Sequence, residues 1–285
     1  MSGLPGTSGD FHGRPTRRLD NGRCWLEVLA EAGPRIVRFG LAGGESILAE
    51  TPEIGWETTF GRFELMGGHR VWFAPERAEC SIPDSAGLTL EPLPDAAFGL
   101  GLRLIGQVQE QIGLRKTIEV RLAPESAAVD LRHVLSNVGD STLDLAVWPV
   151  TQLKLGGVAR VELPPPVSEH SFVPNRQVVL WPYSSWEDER LSLADAGISV
   201  KATPGPMVKL GCLSHSGRLT YEREAVLLSI SFDPAPDARH PDLGCNVEVY
   251  CDQGSIELET LGPLVALGPG ESAVHDERWD LRQVG

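Results

Sequence analysis

The five cysteines of this 285-residue chain (Cys24, Cys80, Cys212, Cys245 and Cys251) include no CxxC pair, and their odd number implies no closed disulfide framework. A reducing compartment suits that usage. Met1 to Asp20 contains no apolar core of the kind a secretory signal needs, and no run approaches eighteen apolar residues. The expectation is a cytoplasmic protein that does not span a membrane. Positive charge is also scarce: 25 Lys and Arg stand against 39 Asp and Glu, a formal net charge of −14. Such a field repels phosphate backbones and anionic lipid, so neither nucleic acid nor membrane is expected as a partner. P-loop, GxSxG and HExxH signatures are all missing. Gly99, Gly101 and Gly106 have the wrong spacing for a dinucleotide loop and precede no helical pattern, so they read as strand and bend glycines. No cofactor is expected.

What the sequence does contain is alternation. Ile118, Val120 and Leu122 alternate with Thr117, Glu119 and Arg121, and Val129, Leu131, His133 and Leu135 alternate with Asp130, Arg132 and Ser136. Leu143, Leu145 and Val147 continue the habit. Turn residues separate these runs at Ala123-Pro124-Glu125-Ser126 and Asn137-Val138-Gly139-Asp140. Asp20-Asn21-Gly22 reads as a tight hairpin turn. Residues 1–16, rich in Gly, Ser and Pro, read as a loose tail. The one helical candidate is the short stretch from Glu187 to Ala194, limited by Pro182 and Gly197. Many short strands at regular spacing predict an all-β architecture, a large antiparallel β-sandwich or barrel occupying residues 17–285 as one domain.

Chemistry concentrates in Gly67-Gly68-His69-Arg70-Val71-Trp72-Phe73-Ala74-Pro75-Glu76. An indole can pack on the apolar face of a pyranose, while Arg, His and a carboxylate exchange hydrogen bonds with its hydroxyls. The competing reading is an ordinary loop pair beside a core tryptophan. Trp148-Pro149, followed by Thr151, Gln152 and Lys154, supplies a second polar and aromatic group. Trp181, Trp186 and Asp188 fall in a loop-like stretch that could cover a cleft or cap the core. Lys209 lies within an apolar strand, where a cation has to snorkel or find a partner. Glu257 and Glu259 share one strand face, a pattern that suits an acid and a base when repulsion separates their pKa values, and that otherwise marks a solvated face. His275 and Glu277 also share a face. No histidine cluster accompanies them in the sequence, so a solvated acidic strand is expected there and a metal site is not.

Three segments carry a resemblance to the aldose 1-epimerase (galactose mutarotase)-like superfamily. They are Gly33-Pro34-Arg35-Ile36-Val37-Arg38-Phe39-Gly40 with Gly43-Gly44, Asn137 through Leu153, and Val247-Glu248-Val249-Tyr250 with Leu267-Gly268-Pro269-Gly270-Glu271-Ser272 and Trp279. The Gly-Gly-His-Arg-x-Trp-x-Ala-Pro-Glu stretch resembles a bacterial branch of that superfamily. The likeness runs in order through residues 20–283. It implies a galactose mutarotase-like β-supersandwich with a sugar pocket on its concave face, a small-molecule carbohydrate partner, and acid–base chemistry at the anomeric centre; a homodimer is left open. The family's general acid is a histidine of the middle segment, at whose position this chain has Trp148. His69 is then the candidate acid and Glu257 the candidate base. Arg70, Trp72, Glu76, Trp148, Lys209 and Glu259 are candidate sugar-binding residues. Which of Glu248, Glu257 and Glu259 faces the pocket stays open, because one residue of register reverses the face. The alternative is a protein that binds a sugar or glycoside on the same scaffold without turning it over. A lyase, with Lys209 abstracting a proton next to a carbonyl, is a further reading.

Overall fold

The computed structural model describes residues 4–93, 100–165 and 172–285. Gly99 therefore lies outside the described residues, whereas Gly101 sits within a strand and Gly106 close to a backbone crossing. The alternating runs form antiparallel strands, as their period of two requires. Leu114–Leu122, Ala128–Asn137 and Leu143–Leu153 are the three strands read from the middle of the sequence. Among the described residues the only helical element is one short 3-10 turn, Ala78–Ser81.

Two large sheets stack face to face. The first has ten strands in its main path. Its centre runs Arg35–Leu41, His69–Ala74, Leu143–Leu153, Ile256–Thr260, Val247–Cys251 and Val208–Cys212, so strands far apart in sequence become neighbours. The second, also ten-stranded, has Ser272–Gln283 and Ala128–Asn137 near its middle. A separate hairpin, Glu50–Thr58 with Gly61–Gly67, stands off the first sheet. The inner faces of the two sheets bury one continuous apolar core that includes Phe39, Phe73, Leu131, Val120 and Trp279. This is an all-β sandwich of antiparallel sheets.

Two expectations are corrected. Residues 7–16 are not a loose tail: Thr7–Phe11 pairs with Arg14–Asp20, which extends the first sheet. Phe11 explains why, since its ring is fully buried against Leu29, Ala32, Val37 and Met66. Glu187–Ala194 is not a helix. Its second half is the strand Leu191–Ala194, and Asp188 turns the chain before it by accepting from both the backbone N–H and the guanidinium of Arg190. A local polar turn outcompetes the helix there.

The double glycine is positional. Gly67 and Gly68 both adopt positive φ, +82° and +70°, and a Cβ on Gly68 would stand 2.1 Å from the carbonyl oxygen of Ile36. Only glycine allows this crossing. It carries the chain from the detached hairpin into the His69–Ala74 strand at the centre of the sheet.

Candidate functional site

Parity along the central strands sorts the side chains. In antiparallel pairs, directly opposed residues share a face. Arg70 opposes Val150 and Trp72 opposes Trp148. Gln152 opposes Glu257 and Val150 opposes Glu259. Glu248 opposes Glu259, Tyr250 opposes Glu257, and Lys209 opposes Tyr250. Five strands thus turn Arg70, Trp72, Trp148, Gln152, Lys209, Glu248, Tyr250, Glu257 and Glu259 to one side, away from the second sheet. A cavity of about 470 Å³ lies over that face. Ile54, Trp56 and Leu65 of the detached hairpin wall one side of it, and Tyr183 and Glu76 stand at its border.

The floor is aromatic. The Trp72 and Trp148 rings meet at 5.4 Å with a 67° tilt, and the Arg70 guanidinium lies 4.5 Å from the Trp72 ring centroid. Arg70 donates to Gln152 Oε1 at 2.8 Å and stands 3.4 Å from Glu257 Oε1. Burial pushes the Glu257 carboxyl up to about 7, opposed by the Arg70 charge and reinforced by Glu259. It remains partly open to the cavity, with 14% of its side chain exposed. A carboxyl of that kind can hold or release a proton near neutral pH.

Deeper in, Lys209 Nζ lies 2.6 Å from Glu248 and 2.9 Å from Glu259, with the Trp148 and Trp181 rings 4.7 and 4.8 Å away. The Trp148 indole N–H donates to Glu259 at 2.8 Å. Burial alone would lower the Lys209 pKa, but its two carboxylate neighbours overcome that and hold it well above the ordinary lysine value. Glu248 is driven the other way. Burial and the Glu259 charge raise its carboxyl well above normal against the pull of Lys209. Glu259 Oε1 has no hydrogen-bond partner.

His69 is not in this site. It precedes Arg70 by one residue, so it points into the space between the sheets, where it is fully buried against Thr151 and His133. No described histidine lines the cavity. Arg70, Trp72, Glu76, Trp148, Lys209, Glu257 and Glu259 come together at it, Glu259 as a fully buried partner beneath the floor. Gln152, Tyr183, Tyr250 and Asp252 line it too, and Glu248 shares Lys209 below. Gln152 belongs to the polar group read after Trp148-Pro149, and Tyr250 lies two residues beyond Glu248 on the same strand. Of the loop aromatics, Trp181 packs against Lys209, whereas Trp186 is exposed. His275 and Glu277, expected on a solvated strand, are both buried. The histidines missing from their sequence neighbourhood are supplied by the fold, as His69 and His133.

A second opening, about 540 Å³, lies on the outer face of the other sheet. Four of its charges are matched in pairs: Arg132 grips Asp276 through two bonds of 2.8 and 2.9 Å, and Arg278 donates to Asp130 at 2.7 Å. Its aromatic lining residue, Phe232, is buried and presents little open ring face.

No family model matches the chain, and no curated protein matches it by sequence. Solved structures do match by fold. A galactose mutarotase-like protein from Lactobacillus casei ATCC 334 superposes with a TM-score of 0.57 at 8% identity, over 94% of this chain and 100% of that one. A candidate aldose 1-epimerase from Escherichia coli K12 gives 0.55 at 13% identity, over 94% and 99%. A TPR-domain containing protein from Parabacteroides distasonis ATCC 8503 gives 0.63 at 12% identity over 94% of this chain, which spans only 47% of that longer protein. These identities establish the shared fold and nothing finer. No helix among the described residues is long and apolar enough to cross a membrane.

Proposed function

We propose that the cavity over Trp72 and Trp148 binds a carbohydrate ring and that Glu257 acts as the base of an aldose 1-epimerase-type reaction. One observation carries the reading: a partly exposed carboxyl, titrating near 7, stands over an indole floor beside a guanidinium. The ring packs its C–H face on the tryptophans, while Arg70, Gln152 and Glu257 meet its hydroxyls. Ionised Glu257 accepts the anomeric hydroxyl proton as the C1–ring oxygen bond breaks. The ring oxygen takes a proton, the open-chain aldehyde rotates about C1–C2, and closure on the other face returns both protons. With His69 between the sheets, the ring oxygen draws its proton from solvent entering the cavity.

A second reading, sugar binding without turnover, is favoured by the direction in which His69 points. Anomer exchange on a panel of free aldoses, followed by NMR, separates the two. Exchange that accelerates with protein, rises from about pH 6 to about pH 8 and is lost in Glu257→Gln supports epimerisation. Broadened sugar resonances without acceleration establish binding alone. Absence of both across the panel overturns both readings.

A further inference from the structure

Beneath the pocket floor, on the opposite face of the His69–Ala74 strand, three ligand-type side chains converge from both sheets. His69 comes from the first sheet; His133 and Glu277 come from adjacent, paired strands of the second. Their ligand atoms all lie within 4.8 Å of one another, and the two Nε2 atoms are 2.7 Å apart. All three side chains are cut off from solvent, at 0%, 0% and 3% exposure.

Every other polar atom of the trio is anchored. His133 Nδ1 is 3.0 Å from the carbonyl oxygen of His275, so its N–H is donated there and the Nε2 lone pair is free to face inward. His69 Nδ1 meets the Thr151 hydroxyl at 2.9 Å. Glu277 accepts from the Trp279 indole N–H at 2.9 Å and from the Thr260 hydroxyl at 2.5 Å. His275 Nε2 in turn lies 2.9 Å from the Thr260 hydroxyl. Such outer contacts hold metal-ligating imidazoles and carboxylates at fixed tautomer and angle.

We propose that His69, His133 and Glu277 form an inter-sheet binding site for a divalent transition-metal ion of the zinc type. Two imidazole nitrogens and one carboxylate oxygen suit zinc, and the set is too poor in oxygen for magnesium or calcium. Two nitrogens bound to one tetrahedral ion at about 2.1 Å stand about 3.4 Å apart, so loading spreads the imidazole pair from 2.7 Å by about 0.7 Å. The ion ties the two sheets together at mid-core in a chain whose five cysteines are all free. It lies on the far side of the strand from the carbohydrate pocket and does not depend on that pocket's role.

The test uses the full chain without an affinity tag. Metal content is measured by mass spectrometry; the chelator-treated protein is then titrated with Zn²⁺, and with Co²⁺ as a visible probe. We expect about one ion per chain, a ligand-field band with Co²⁺, and a Tm that rises on loading. His133→Asn and Glu277→Gln each weaken binding by about 10-fold to 100-fold or more, whereas exposed His215→Asn leaves it unchanged. If either core variant fails to fold, the ¹⁵N resonances of the two Nε2 atoms in the unmutated protein decide. Their displacement on adding Zn²⁺ upholds the site. Their persistence as one donor and one acceptor shows a hydrogen-bonded pair only, and overturns it. So does a folded wild-type protein that retains no metal and gives no Co²⁺ band, or binding that survives in both core variants.

Discussion

The guanidinium of Arg70 stands 3.4 Å from the carboxylate of Glu257, and the two residues are 187 positions apart in the chain. The strands that carry them, His69–Ala74 and Ile256–Thr260, do not pair directly. Both flank Leu143–Leu153, whose Gln152 opposes Glu257 and bonds Arg70. One strand in the middle therefore sets the separation of the charges on either side.

Glu257 makes stability fall as pH rises. In the folded chain burial holds its carboxyl proton up to about 7, while the ordinary value is 4.5. Between those limits the native state binds more protons than the unfolded one, so each step up in pH favours unfolding. Above pH 7 the cost reaches about 3 kcal/mol. Glu257→Gln should therefore unfold at higher urea than wild type near pH 8, with the gain gone near pH 4. Equal midpoints at both pH values would remove the buried, proton-holding Glu257.

Lys209 has the opposite significance. Among the described residues it is the one cation within hydrogen-bonding distance of two fully buried glutamates, Glu248 and Glu259. Lys209→Met leaves them uncompensated and should cost about 3–5 kcal/mol near neutral pH. The loss shrinks as pH falls and Glu248, whose carboxyl burial already holds high, takes its proton. Adding Glu259→Gln to the variant should recover part of the stability, because the charge left behind is the source of the penalty. Chemical denaturation of the single and double variants checks this, and a double variant no more stable than the single would refute it.

Phe11 tests the N-terminal hairpin. Its ring is fully buried and lies 5.0 Å from the Arg38 guanidinium. Phe11→Ala should cost about 3 kcal/mol or more, as large-to-small changes do in a packed cluster. A midpoint shift worth under about 1 kcal/mol would return residues 7–16 to the status of a tail.

The pattern of the strands was legible because period-two alternation is local: Ile118, Val120 and Leu122 bury themselves wherever the strand lies. The tail reading failed on the same ground. Gly and Ser dominate residues 1–10, and the weight of Phe11 depends on Leu29, Val37 and Met66, which no local window contains. Asp188 and Arg190 likewise look helical by position and are turn-forming by contact.

The sequence by itself determined the class of the fold, the concentration of polar and aromatic residues from Gly67 to Glu76, and the shared face of Glu257 and Glu259. Each of these needs only the chain's own period and composition. Tertiary structure alone decided which face of the His69–Ala74 strand looks outward. A step of one residue reverses a strand's side chains, so Arg70 meets the cavity and His69 meets His133 inside. It alone brought Lys209 between Glu248 and Glu259, and His69 to His133 and Glu277. Those pairings depend on which strands become neighbours, and that order follows from packing two whole sheets together.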